Sequence, residues 1–244
     1  MSDHDEWHAL TRFTPARLAL GRSGNGLPTH RLLEFELAHA KARDAVLRPF
    51  EPEVIAASLG QPDTFVLTTQ ANDRHTYLMN PDAGRMLSDT SRAQLKHGTY
   101  DAALIIADGL SSTAIAAHGI ALARALLQSL SDLKWAPTAI VSNGRVAVGD
   151  DVAATFGAEL AVVLIGERPG LSAADSIGIY LTYRPEPGIT KDADRNCISN
   201  VRPDGLPIDG AVMRLAWLIR QARQLRLTGV ALKEDANGLA AIRS

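Results

Sequence analysis

Three runs of this chain, "AALIIA", "TAIVS" and "LAVVLIG", are apolar at nearly every consecutive position and are separated by stretches with helical spacing. A strand that shows one face to water alternates apolar and polar residues, whereas a strand that is apolar throughout must be covered on both faces. Such strands alternating with helices specify an α/β fold, a doubly wound and mostly parallel sheet joined by right-handed crossovers. The repeating units read as strand "YDAALIIADG" (100–109), helix "LSSTAIAAHGIALARALLQSL" opening at Ser111 or Ser112, strand "TAIVSNGR" (138–145), helix "GDDVAATFGAEL" with Asp150 and Asp151 in its first turn, and strand "LAVVLIGERPG" (160–170). A fourth strand, "IGIYLTYRP" (177–185), follows, and a final helix runs from Asp209 to about Leu227.

In a parallel sheet, ligands bind at the carboxyl ends of the strands, where loops and helix amino-termini frame a crevice. Three polar loops are expected there: Asp108-Gly109, Asn143-Gly144-Arg145 and Gly166-Glu167-Arg168. A fourth segment, "KDADRNCISNVRPDG" (191–205), is dense in hydrogen-bonding side chains and reads as a long loop.

Upstream, residues 1–28 read as an extended arm bearing Pro and Gly, and residues 29–99 as a mainly helical region ahead of the sheet domain at 100–244. Thr29 is the expected N-cap of a long amphipathic helix with Leu33, Leu37, Ala40 and Val46 near helical spacing. "TFVLTT" (64–69) suits a strand, and "SDTSRAQLKHG" (88–98) a short helix closed by Gly98. "RSGNGLPT" lacks the third glycine and the preceding strand of a dinucleotide loop.

A net charge of -2 supplies no basic field of the kind that nucleic acid or an anionic membrane selects. No apolar run reaches the roughly 18 residues that span a bilayer, and the first thirty residues lack a signal-peptide core, so a cytoplasmic protein is expected. The one cysteine, Cys197, cannot form an internal disulfide. Seven histidines without HExxH spacing, and serines without a GxSxG elbow, argue against a protein-held metal and a hydrolase nucleophile.

Each candidate residue also has an ordinary explanation. Glu167 and Arg168 would make a solvated pair worth at most about 1 kcal/mol, Asp108-Gly109 a turn with a helix cap, and Cys197 a small core residue. Convergence of four polar segments on one crevice favours a site. A stand-alone nucleotide-binding α/β protein or hydrolase is the rival reading, and a structural partner that touches no cofactor is a third.

"LIGERPGL", "GITKDADRNCISNVRPDG", "DGLSS", "GRVAVGDDVA" and "FTPARLALGRSGNGLPTHRLLEFELAHAKARDAV" together resemble the small subunits of ethanolamine ammonia-lyase, from about residue 11 to about residue 230. The resemblance implies a Rossmann-like subunit that covers adenosylcobalamin, with a large TIM-barrel subunit holding ethanolamine and the radical chemistry. Carried over by motif, the cofactor-contacting positions are Val146 in "GRVAV", Glu167 in "GERPG" and Cys197 in "RNCISN", with no catalytic residue and no metal ligand on this chain. The DxHxxG signature is absent, so the cofactor's own benzimidazole is expected to remain the lower cobalt ligand, as the resemblance also implies. An extended arm with Phe13, Leu18 and Leu20 buries too little alone to offset its backbone entropy, so it is expected to wrap the large subunit, and residues 1–12 read as a tag for a bacterial microcompartment or as simple disorder.

Overall fold

A computed structural model describes residues 6–14 and 16–233; the expectations for residues 1–5 and for the polar end at 234–244 lie outside them. One six-stranded sheet organises the chain: β1 (Thr64–Thr68), β2 (Tyr100–Ala107), β3 (Thr138–Ser142), β4 (Ala158–Gly166), β5 (Ile177–Tyr183) and β6 (Arg195–Val201), in the order β1-β3-β2-β4-β5-β6. The first four of these strands are mutually parallel. The three apolar runs are β2, β3 and β4, and they are buried on both faces as their composition requires. On one face Leu104, Ile106, Leu164 and Leu181 pack with α2 (Pro52–Leu59), α6 (Ile120–Ser129) and α8 (Ile208–Leu225). On the other, Ala103, Ile105, Val163 and Ile165 pack with α7 (Val148–Phe156). Burying each large side chain here contributes about 1.5 to 3 kcal/mol, so the sheet centre is the stable part of the molecule.

After β4 the chain makes no helical crossover. Residues 167–176 turn it straight back, and β5 pairs antiparallel with β4, Gly166 facing Ile177. β6 then pairs antiparallel with β5, so the expected long loop at 191–205 is corrected to an edge strand. Arg195, Ile198 and Val201 are its buried positions, while Cys197 and Ser199 are exposed. This return places the start of β5 and the end of β6 at the carboxyl edge of β4.

Several expected boundaries move. Ser111 does cap α5 (Ser112–Ala114), accepting from the Ala114 N–H, and a π turn over Ile115–Gly119 joins it to α6. The "AEL" end of the expected helix belongs to β4, because Gly157 at φ 74 stops α7 in a left-handed turn that favours glycine. Gly98 does not close α4 (Asp89–Gln94); its N–H instead reaches the Phe156 carbonyl at 2.8 Å. Pro28, not Thr29, precedes α1 (Thr29–Leu47). The arm is not wholly extended, since Glu6–Phe13 is a 3₁₀ helix and Ser23 and Gly26 close a tight turn. α1 itself buries only Ala45, leaving Leu33 and Leu37 each 58% exposed, so it has no covered apolar face.

Candidate functional site

The chain leaves β2 towards β3 and leaves β4 towards β5, in opposite directions along the sheet, so a ligand crevice is expected between β2 and β4. It is shut. The Leu110 N–H donates to the Gly166 carbonyl at 2.9 Å, and a Cβ on Gly109, which sits at φ 55, would collide with that same oxygen. Beside this closure Asp108 is buried; its carboxylate accepts from the Gly144 N–H at 3.1 Å and from Arg74 Nη1 at 3.1 Å. Burial pushes the Asp108 carboxyl up to about 6, with Arg74 and the loop N–H groups of Gly144, Gly109 and Asn143 pulling the other way. α3 (Arg74–Met79) plugs what is left: the Tyr77 ring lies between the guanidiniums of Arg74 and Arg145, 4.7 and 4.1 Å from its centre. Burial holds the Tyr77 hydroxyl at about 12. The Asp108-Gly109 and Asn143-Gly144-Arg145 loops therefore form a structural knot rather than the walls of a crevice.

The open surface lies one step along the edge, on the face that α7 covers only as far as β4. Tyr180 and Cys197 are register partners on β5 and β6, so their side chains stand beside each other on one face of the sheet. Glu167, half-buried at the end of β4, accepts the Asn200 N–H through Oε2 at 3.1 Å and acts electrostatically on both Tyr180 and Cys197. Desolvation, then the Cys197 contact and the Glu167 charge, raise the Tyr180 hydroxyl. The thiol is raised as well, by desolvation and by Glu167, although its surface remains exposed to solvent. Both groups are therefore neutral at pH 7.

Val146 sits where the β3 loop enters α7, lining a cavity of about 230 Å³ with Arg85, Arg145, Ala147 and Asp192. Asp192 leads back to the cluster, since it lies 3.6 Å from Arg195 Nε on β6. Thus Glu167 and Cys197 meet around Tyr180, and Val146 stands on the α7 side of the same sheet face. Arg168 is exposed and is not the group that holds Glu167. Cys197, read from its residue type as core, stands exposed on an edge strand.

Sequence reasoning missed Tyr180, Gly178 and Asn200. The first would have emerged from pairing 177–183 with 195–201, because Tyr180 and Cys197 are partners across that ladder and share a face. Among the described residues, no group of three or more His, Cys, Asp or Glu is arranged to hold a metal ion, and no helix is long and apolar enough to cross a membrane.

The family model "Ethanolamine ammonia-lyase light chain (EutC)" matches residues 4–233. Ethanolamine ammonia-lyase small subunits from Pseudomonas fluorescens and Azotobacter vinelandii are each 47% identical over 240 residues, covering 94% of this chain and 87% and 88% of theirs. The one from Ralstonia nicotianae is 48% identical over 241 residues, covering 94% of this chain and 88% of its own. The match runs through the arm, the sheet and the β6 edge alike, and the chain belongs to the ethanolamine ammonia-lyase light-chain family.

Proposed function

We propose that this chain is the cofactor-covering subunit of a two-subunit ethanolamine ammonia-lyase. A large TIM-barrel subunit binds ethanolamine, and this chain closes over adenosylcobalamin with the face that carries Val146, Glu167 and Cys197. The parallel half of the sheet, helices on both faces, is its Rossmann-like scaffold. The observation that carries the reading is convergence: Glu167 and Cys197, thirty positions apart in sequence, meet around Tyr180 on the open face at the carboxyl edge of the sheet.

The residues present fit the group. Cobalamin is a broad corrin disc fringed with amides, so its site needs mixed donors and acceptors beside apolar walls. A carboxylate, a phenol and a thiol supply the first requirement, and Val146 contributes to the second. Gly178 keeps the strand bare between them, since a Cβ there would come within 3.0 Å of the Tyr180 ring and 3.2 Å of Glu167 Oε1.

Glu167 Oε1 is then the acceptor for a corrin amide or a ribose hydroxyl, with Oε2 anchored on Asn200. Val146 and Cys197 give close apolar contact, and the neutral thiol has no nucleophilic part to play. No acid, base or nucleophile is assigned to this chain; its work is orientation and exclusion of water. Adenosylcobalamin, when bound, supplies by homolysis of its cobalt–carbon bond the radical chemistry that turns ethanolamine into acetaldehyde and ammonia.

The uncovered arm and α1 are the surface for the large subunit. Phe13 is 73% exposed and Leu33 and Leu37 each 58%, an apolar stretch that a partner chain would bury. The test is an absorbance titration of the purified two-subunit complex with hydroxocobalamin. A saturable spectral change is expected in the complex, while a spectrum that is the simple sum of its parts would exclude the reading. Removing residues 1–28 is expected to abolish co-purification with the large subunit, and normal yield of the truncated complex would move the interface elsewhere.

A further inference from the structure

Val146 stands just ahead of α7 and Cys197 on β6, and the Arg195 side chain joins those two elements. α7 packs on β2 and β4, whereas β6 lies two strands beyond β4, which is about 10 Å away at normal strand spacing. Arg195 spans that distance from β6. Its Nη1 and Nη2 donate to Asp150 Oδ1 and Oδ2, at 2.5 and 2.6 Å, in the first turn of α7. On the way Nη1 also donates to Thr182 Oγ1 at 3.0 Å, and Thr182 is the register partner of Arg195 on β5. Asp150 lies four positions after Val146. Arg195 lies two positions before Cys197, which puts both on one face of the strand.

The pair is a poor means of gaining stability. Asp150 is 1% and Arg195 7% exposed, so both charges are removed from water, and a buried pair of this kind gains little over well-packed apolar residues of the same volume. Arg195 Nε is buried without a hydrogen-bond partner, 3.6 Å from Asp192, which lines the cavity beside Val146. What the bidentate fork does supply is geometry, because its two parallel hydrogen bonds fix direction as well as distance. The neighbouring carboxylate, Asp151, ties the same turn the other way, accepting from the Leu87 N–H at 2.8 Å and Arg92 at 2.7 Å. The start of α7 is held from both sides.

We infer that Asp150 and Arg195 are positioning residues that set the gap between the Val146 wall and the Cys197 wall, and hence how well the crevice takes a corrin ring. The inference rests on the cobalamin reading above. Arg195→Lys keeps the charge and loses the fork, and the double variant Asp150→Leu/Arg195→Met replaces the pair with apolar volume. In the two-subunit complex, hydroxocobalamin titrations should show Kd raised at least tenfold for both. The thermal midpoint of the double variant should equal or exceed that of the wild type, and KM for adenosylcobalamin should rise much more than kcat falls. If Arg195→Lys does not fold, the double variant carries the test. A double variant that titrates like the wild type reduces the pair to a structural contact and overturns the inference. A wild-type complex that shows no titration removes the cobalamin reading and this inference together.

Discussion

Two polar clusters occupy the carboxyl edge of one sheet, and they differ in what surrounds them. Around Asp108, the lone pairs point inward: one oxygen faces Gly144, the other faces Arg74, and Tyr77 is stacked between two guanidiniums. Around Glu167, one oxygen is anchored on Asn200 and the other faces the bare backbone of Gly178, with an exposed thiol beside it. The first has the topological position of a binding site and is closed; the second keeps an exposed thiol and lies beyond the parallel strands altogether. Strand order says where a crevice can open, and the hydrogen bonds that use both Asp108 oxygens show why none opens there.

The largest effect is expected from breaking the closed cluster. Asp108→Ala leaves the largely covered Arg74 guanidinium with only the Val46 and Gly109 carbonyls, when its Nη2 already has no hydrogen-bond partner. An uncompensated buried charge costs about 3 to 5 kcal/mol, read as a loss of unfolding free energy in urea. A loss below about 1 kcal/mol would mean that the knot is not structural. Asp108→Asn separates charge from shape. The folded carboxyl titrates at about 6, above its ordinary 3.8, so the folded chain binds this proton more tightly than the unfolded chain does. Stability from this group is therefore present below about pH 4 and lost as pH rises to about 6, a difference of at most about 3 kcal/mol. Lowering pH from 7 to 4.5 should thus favour the wild type relative to Asp108→Asn, and parallel pH curves would remove the assigned shift.

The open cluster should respond in the opposite way. Glu167→Ala removes a charge-assisted acceptor for the ligand, about 1.5 to 3 kcal/mol, so the complex should lose at least about tenfold in hydroxocobalamin affinity. Its unfolding free energy should change by less than about 1 kcal/mol, since water can replace the partner of the exposed Asn200 N–H. Equal affinity, or a large loss of stability, would make the two clusters alike and erase the contrast.

The parallel strands were legible because burial on both faces leaves a chain no choice but apolar residues, as in "ALIIA" of β2 and "AVVLIG" of β4. β6 was not legible, because only Ile198 and Val201 of its inward positions are apolar. The third, Arg195, is buried through Asp150, and no local pattern can foretell that pairing. Glu167 was visible from its place after an apolar run. Val146 and Cys197 came from the family resemblance alone, and residue type pointed Cys197 to the core when it stands on an exposed face. The π turn at Ile115–Gly119 and the uncovered α1 gave no sequence signal either.

The smallest effect should come from Cys197→Ser, and it bears on what the open cluster does with its thiol. Desolvation and the nearby Glu167 charge hold the thiol above its ordinary pKa, against the opposing influence of Tyr180, so it is protonated at neutral pH and offers a ligand bulk and weak polarity. A serine hydroxyl keeps a polar group beside Tyr180 and is slightly smaller, giving up part of a contact whose atom pairs are worth about 0.1 to 0.2 kcal/mol each. Hydroxocobalamin Kd in the complex should therefore rise by less than about threefold, or about 0.6 kcal/mol. Alkylation by iodoacetamide should slow when hydroxocobalamin is present, because the ligand would cover the thiol. A Kd raised more than about tenfold by so conservative a change would show that sulfur contributes something beyond packing, and unprotected alkylation would show that the ligand does not reach the β6 wall.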